Sequence, residues 1–233
     1  MRVLGVGAHP DDLDIWCGGT LAKCAQRGDE VVMCICTNGS MGSYDTPSVE
    51  LAAIRLAEAR ASAAVIGAEC LLLDLPDAGV LRTEEQRALF TDLVRQARPD
   101  VILTHPPNDY MSDHINASLN VFDASFWATA PLFFTRHDAL GRLPAIYYTD
   151  AVCGVNSLPT DYVDVTEVWE TKVRMLLCHE SQRRWLAEHD NIDYVDFMSV
   201  IARFRGLQCG VRYAEAFRTE AAWPHLRAER LLP

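Results

Sequence analysis

Residues 8–14 read Ala-His-Pro-Asp-Asp-Leu-Asp and follow directly on the apolar run Val3-Leu4-Gly5-Val6-Gly7. One imidazole and three carboxylates therefore fall within six positions at the end of a strand-like segment. Left uncompensated, such groups repel one another and lose hydration. A divalent cation removes the conflict, and imidazole plus carboxylate suits zinc. His9 and Asp12 stand three apart, so one turn aims both at a single point, and Pro10 stiffens that turn. Asp11 lies between them and can point elsewhere, toward water at such an ion, where it would serve as a base. An Asp here can also cap the next helix. Capping accounts for one carboxylate, but not for His9, Asp11 and Asp12 together.

A catalytic zinc needs a third protein ligand. The run Val101-Ile102-Leu103-Thr104 leads into His105-Pro106-Pro107-Asn108-Asp109-Tyr110-Met111-Ser112-Asp113-His114. His114 directly follows Asp113 and opens a helix-like run. It is the favoured ligand, with Asp113 expected to orient it from behind. His105, at the strand edge, reads as a packed core histidine, although spacing alone leaves it open as a ligand.

The elements that must position these groups alternate. Val3–Gly7, Val31–Cys36, Cys70–Leu73 and Val101–Thr104 read as buried strands. Thr20–Gln26, Val49–Ile66 and Glu84–Ala97 read as helices between them, with Gly28 and Gly67 as C-terminal caps. Arg55, Glu58 and Arg60 are expected on the polar face of the second helix. Such alternation predicts an α/β fold: a Rossmann-like three-layer sandwich with a mostly parallel sheet. The second half is less regular. Asn116–Trp127 reads as a helix, and Ala145–Thr149 and Tyr162–Val165 as strands. Thr166–His189 reads as one long amphipathic helix, with Thr166 as N-cap and Glu170 and Lys172 exposed. Phe197–Leu207 is expected to be a further helix. Thr37–Pro47 and Leu140–Thr160 read as loops over the sheet, where ligands of parallel sheets bind.

The 233 residues suit one large domain, 1–233, with a real core. Hydrophobic content of 49% and charged content of 23% form an ordinary soluble profile. No apolar run approaches the roughly 18 residues of a membrane span. Met1-Arg2 leads straight into a strand-like run, so no signal peptide is expected. A net charge of -11 argues against nucleic acid as partner. The eight cysteines lack zinc-finger or Cys-x-x-Cys spacing and mostly sit in apolar runs. They read as reduced core thiols of a cytoplasmic protein.

Ala8-His9-Pro10-Asp11-Asp12 with Gly18-Gly19, and Asp113-His114, resemble the PIG-L / LmbE-like family of zinc-dependent N-deacetylases, which act on N-acetylglucosamine-type compounds. Thr37-Asn38-Gly39, Arg55-x-x-Glu58-Ala59, Pro99-Asp100-Val101, Tyr162–Thr166, Lys172, His179-Glu180-Ser181-Gln182 and Tyr213–Phe217 are similar too, so the likeness runs nearly the whole chain. The resemblance implies His9, Asp12 and His114 as zinc ligands, with iron(II) an alternative metal. It implies Asp11 as the base that activates zinc-bound water, and Arg55 as a substrate contact, against the alternative of a surface pair with Glu58. A small amino-sugar substrate and a homo-oligomer are further implications.

Three departures stand out. The family's second motif reads His-Pro-Asp-His, and here Met111 replaces its first histidine, which assists the oxyanion or leaving group. Tyr110, Asp109 or His105 must then take over, Tyr110 as a substrate-binding residue, or the reaction differs. Asp14 stands where Glu is common, and Asn38 where Asp is. His179 reads as structural, and the five tryptophans are too scattered to form a sugar platform. Gly5-x-Gly7 lacks the third glycine of a dinucleotide site, and Gly39–Ser43 reads as an active-site rim. A metallohydrolase for another amide or ester bond, and a metal- or small-molecule-binding protein without turnover, are the competing readings.

Overall fold

Short apolar segments form strands and amphipathic segments form helices, in alternation along the first half. In the computed structural model the order is β1 (Arg2–Gly7), α1 (Asp12–Gln26), β2 (Glu30–Thr37), α2 (Ser48–Val65), β3 (Glu69–Leu75), α3 (Glu84–Ala97), β4 (Val101–Thr104) and α4 (Ser112–Trp127). The second half adds β5 (Ala145–Tyr148), β6 (Asp161–Asp164), α5 (Trp169–Leu176), α6 (Glu180–His189), α7 (Tyr194–Cys209) and β7 (Ala214–Thr219). The structure describes residues 1–233 except the side chain of Cys153, so the reduced thiol expected there lies outside the described residues. The other cysteines are free, and Cys17, Cys24, Cys34 and Cys36 are buried. Among the described residues, no helix is long and apolar enough to cross a membrane.

The seven strands lie in the order β3-β2-β1-β4-β5-β7-β6. β1 to β5 pair in parallel, and β7 runs antiparallel to β5 and β6. Strand alternation divides the core between the two faces. Val3, Val31, Met33 and Ile35 face α1, α2, α5 and α7, whereas Leu4, Val6, Val32 and Cys34 face α3 and α4. The expected three-layer sandwich is therefore what forms. From β1 the chain moves outward one way to β3, then returns to place β4 on the other side of β1. Such a reversal opens a crevice at the carboxyl ends of the two central strands. His9 follows β1 and His114 follows β4, so the topology delivers both to that crevice.

Tertiary contacts override several local expectations. α1 begins at Asp12 rather than Thr20, so Gly18-Gly19 lies inside the helix. A Cβ at Gly19 would stand 2.7 Å from the Val165 side chain, so only glycine lets α1 approach this closely. α4 begins at Ser112, four residues before the expected start. β7 escapes the sequence reading because Glu215 and Arg218 put charges within its six residues. The long helix expected over Thr166–His189 is broken: a 3-10 turn covers Thr166–Val168, and α5 and α6 are separate. His179 sits at the break with φ -90° and ψ 60°. Its Nε2 lies 3.1 Å from Asp14 Oδ2, and Asp14 also accepts a hydrogen bond from Ser62. Glu58 then caps α6, accepting Ser181 N at 2.9 Å and Ser181 Oγ at 2.6 Å.

Lys172, expected on the exposed side, is 1% exposed. Its ammonium pairs with Glu215 and donates to the Ile15 carbonyl at 2.8 Å. Glu215 also accepts Gly19 N at 2.8 Å and Thr20 N at 2.7 Å. One ion pair thus ties α5 and β7 to α1. Lys172→Met strands the Glu215 charge in the interior, which costs about 3–5 kcal/mol. Denaturant unfolding of the variant is expected to show that loss, and an unchanged midpoint would refute the clamp.

Candidate active site

The first βα turn brings His9 and Asp12 together, as the three-residue spacing requires. The His9 backbone N–H donates to Asp12 Oδ2 at 2.6 Å and fixes the carboxylate. His114 arrives from the first turn of α4. His9 Nδ1 lies 3.3 Å from His114 Nε2 and 3.5 Å from Asp12 Oδ2, and His114 Nε2 lies 3.3 Å from Asp12 Oδ1. Ligands of a tetrahedral zinc with bonds of roughly 2.0–2.1 Å stand about 3.3–3.4 Å apart. Two imidazole nitrogens and a carboxylate therefore form a triangle of that edge. These three residues make a group that could hold a metal ion.

The far nitrogens of both rings meet acids, the arrangement that fixes ring orientation behind a metal. His9 Nε2 lies 3.4 Å from both Asp77 Oδ1 and Asp113 Oδ2. His114 Nδ1 lies 3.2 Å from Asp109 Oδ2. Asp113 thus stands behind His9 rather than behind His114, its expected partner. Adjacent helical residues diverge around the axis, so Asp113 cannot follow the ring beside it. Asp77 went unread in the sequence. The signal was an acid just past β3, at the same sheet edge as His9.

Charge and burial sharpen the picture. Burial alone would push the Asp12 carboxyl up, but His114 and His105 hold it well below the usual carboxylate range. Burial pulls His114 down, yet the Asp12 charge and the Asp109 contact lift it to about 9. His9 is likewise raised well above its ordinary value, its burial outweighed by Asp113, Asp12 and Asp77. The site thus favours positive charge at the point where the three donors converge. His105 differs. Its Nε2 accepts the Ala8 N–H at 3.0 Å, and its ring stacks on His114 with centroids 3.9 Å apart. Burial, and the charge on His114, lower its affinity for a proton.

Asp11 stands at the N-terminus of α1 with φ 120° and makes no side-chain cap. Such backbone costs about 1–3 kcal/mol and points to a functional constraint. Its Oδ2 accepts a 2.5 Å hydrogen bond from Tyr194 Oη and lies 3.6 Å from the Arg55 guanidinium. That leaves Oδ1 as the uncommitted oxygen of a carboxylate that lines the cleft. Burial pushes the Asp11 carboxyl up, the nearby Arg55 opposes, and the net shift is upward. Tyr194, from α7, is a site residue with no local signature. Burial and the Asp11 charge push its phenol well above its ordinary value, so it stays a donor.

Arg55, expected on a polar helix face, is buried. It donates to the Gly39 carbonyl at 2.9 Å and the Pro10 carbonyl at 2.8 Å, not to Glu58. A Cβ on Gly39 would stand 2.5 Å from the Arg55 guanidinium, and Gly39 has φ +62°. Arg55 therefore braces the rim loop against the first turn beside Asp11. Tyr110, 74% exposed, lines the mouth of the cleft beside Met111. Asp109 spends Oδ1 on Tyr110 N and Met111 N. Of the three residues suggested to replace the missing motif histidine, Tyr110 alone lines the cleft, among the described residues. The cleft holds about 390 Å³, and its walls include Trp16, Trp185 and Phe197. Trp16 and Trp185, far apart in sequence, both line this cleft, whereas Trp127, Trp169 and Trp223 are not among its described lining residues.

Comparison with known proteins shows the family. The family profile for PIG-L, GlcNAc-PI de-N-acetylase, matches residues 4–125. Diacetylchitobiose deacetylase of Thermococcus kodakarensis is 32% identical over 230 residues, covering 93% of this chain and 82% of that protein. The structure of N,N'-diacetylchitobiose deacetylase from Pyrococcus horikoshii superposes with a TM-score of 0.83 at 29% identity, over 94% of this chain and 83% of that one. A 4-carboxy-2-hydroxymuconate hydratase from Pseudomonas putida KT2440 reaches the same TM-score at 22% identity, over 99% and 100%, a likeness of fold alone. This chain belongs to the PIG-L family, GlcNAc-PI de-N-acetylase.

Proposed function

We propose that this protein is a zinc-dependent N-deacetylase that hydrolyses the acetamide of an N-acetylglucosamine-type sugar or conjugate. The observation that carries the reading is the triangle of His9 Nδ1, Asp12 and His114 Nε2, with Asp11 beside it. The names of its relatives support the substrate class. His9, Asp12 and His114 would hold the ion, oriented by Asp77 and Asp113 behind His9 and by Asp109 behind His114. Zinc at such a site polarises a carbonyl and makes water more acidic. Asp11 Oδ1 takes the proton of the attacking water, while Tyr194 and Arg55 hold Oδ2 still. Asp11 then passes that proton to the departing amine nitrogen. Asp11 thereby serves as base and then acid, which matters more where Met111 replaces a motif histidine. Tyr110 and the tryptophans of the cleft wall bind the sugar. The homo-oligomeric state expected from the family belongs to the same reading.

A binding protein without turnover has no use for Asp11, whose conformation is strained and whose carboxylate is held on one oxygen. The test is acetate release from N-acetylglucosamine and its conjugates, with the purified protein treated or untreated with chelator. Release that chelation abolishes and zinc restores is the expected result. Metal retained with no release from any acetamide would overturn the reading.

A further inference from the structure

We infer that an apolar patch at the far end of α4, residues 126–134, is the surface on which a second copy of this chain docks. The inference goes beyond the proposed function: it names a face for self-association, and it stands whether or not the chain deacetylates a sugar. Leu132 and Phe134 are 84% and 85% exposed, and Phe126 and Trp127, at the end of α4, are 49% and 38% exposed. Trp127 stacks on Phe133 with ring centroids 5.5 Å apart, and Phe126 meets Trp127 edge-on. Single exposed apolar residues are ordinary, whereas a contiguous group of this kind marks a contact surface.

The segment is built to hold that patch outward. Arg95 of α3 is buried, and its guanidinium donates only to this segment. Nε reaches the Ala128 carbonyl at 3.1 Å. The two terminal nitrogens reach the carbonyls of Trp127, Ala130 and His137 at 3.3, 2.8 and 3.2 Å, and Thr135 Oγ1 at 3.1 Å. A buried cation persists only where such bonds replace its water. Asp92, one turn earlier on α3, accepts the His137 N–H at 2.9 Å. These bonds fix the loop backbone, so Leu132 and Phe134 meet solvent on a rigid frame. A face that is already ordered loses little entropy when it binds.

Area and charge favour a second copy as the occupant. At roughly 150–250 Å² for a large side chain, the four exposures leave about 500 Å² of apolar surface. A standard interface buries about 800 Å² per partner, with an apolar core and a polar rim. A two-fold contact of patch on patch supplies that core. The rim is self-complementary. Arg136 and Asp138 are both exposed beside the patch, so about a two-fold axis each Arg136 can face the partner's Asp138. An anionic bilayer fits less well, because Arg136 is the one Arg or Lys in residues 126–138 and the chain carries a net charge of -11. His114 lies about 20 Å back along α4 from Trp127, so the contact leaves the cleft open.

Sedimentation velocity of the full chain over a concentration series tests the surface. The wild type is expected to self-associate, and Leu132→Asp and Phe134→Asp are each expected to raise the dissociation constant about 100-fold. Both side chains point into solvent, so far-UV circular dichroism and the unfolding midpoint should not move. Hydrogen exchange gives a reading without mutation: amides of residues 132–137 should exchange more slowly as wild-type concentration rises. A wild type that stays monomeric, or an oligomer that both variants leave intact, would overturn the inference. So would flotation of a monomeric wild type, but not of the variants, with phosphatidylcholine–phosphatidylserine vesicles. No substrate enters these measurements, so the deacetylase reading can fail in the acetate assay while this surface stands.

Discussion

Asp11→Asn is expected to keep its metal and lose turnover by about 10²–10⁴-fold, the usual contribution of a positioned general base. The substitution is nearly isosteric. Its side-chain oxygen can still accept the Tyr194 hydroxyl that now donates to Oδ2 at 2.5 Å. Asn also tolerates positive φ better than most residues, which suits a position at φ 120°. What disappears is a carboxylate able to take up a proton. Steady-state kinetics paired with metal analysis separate this from structural damage. KM and zinc content should stay near wild type while kcat falls. A variant that hydrolyses N-acetyl sugars at the wild-type rate would remove Asp11 from the mechanism.

His114→Ala should lose the metal itself, and with it all measurable deacetylation. Removing one corner of the triangle leaves His9 and Asp12, and two donors do not complete a catalytic zinc site. Affinity should fall by more than the roughly 10–100-fold typical of mutating an outer partner such as Asp109. The wild-type protein should also show a pH dependence of metal affinity with a defined sign. A ligating imidazole must be neutral. In the metal-free protein His114 is lifted to about 9 by Asp12 and Asp109 against its burial, and His9 is raised as well. Protons therefore compete with the ion increasingly as pH falls below about 9. Zinc affinity measured against a competing chelator should decrease steadily from pH 9 to pH 6. Stoichiometric zinc in purified His114→Ala would instead place the third ligand elsewhere, with His105 next in reach.

What could be read without coordinates was what short-range rules govern. The apolar runs at Val3, Val31 and Val101 are buried on both faces, so they announce parallel strands from composition alone. His9 and Asp12 are three residues apart in a turn stiffened by Pro10, so their convergence is a local fact. His114 was legible because it follows Asp113 at the start of the helix after the second central strand, although spacing alone also left His105 open. Gly28 and Gly67 close helices with φ +87° and +68°, where side chains are disfavoured. Other elements misled for equally physical reasons. Arg55, Lys172 and Glu215 are charged, and a charge in a periodic pattern reads as surface. Each is buried because a partner distant in sequence satisfies it: the Pro10 carbonyl for Arg55, and Glu215 and Lys172 for one another. The helix expected over Thr166–His189 has suitable periodicity throughout. It breaks because Glu58 and Asp14, more than a hundred residues away, compete for Ser181 and His179.

The sequence by itself determined the α/β alternation, the family resemblance, and the turn that gathers His9, Asp11 and Asp12, with His114 the favoured third donor. These depend on periodicity, on spacing within a turn and on donor chemistry, all of which local residues carry. Tertiary structure alone decided which acid stands behind which histidine, and that Tyr194 holds Asp11. It also decided that Trp16 and Trp185 line one cleft and that the rim loop, α2 and α6 enclose a second cavity. Those relations join segments up to 183 residues apart. No local pattern encodes them, because burial and pairing are properties of the packed chain.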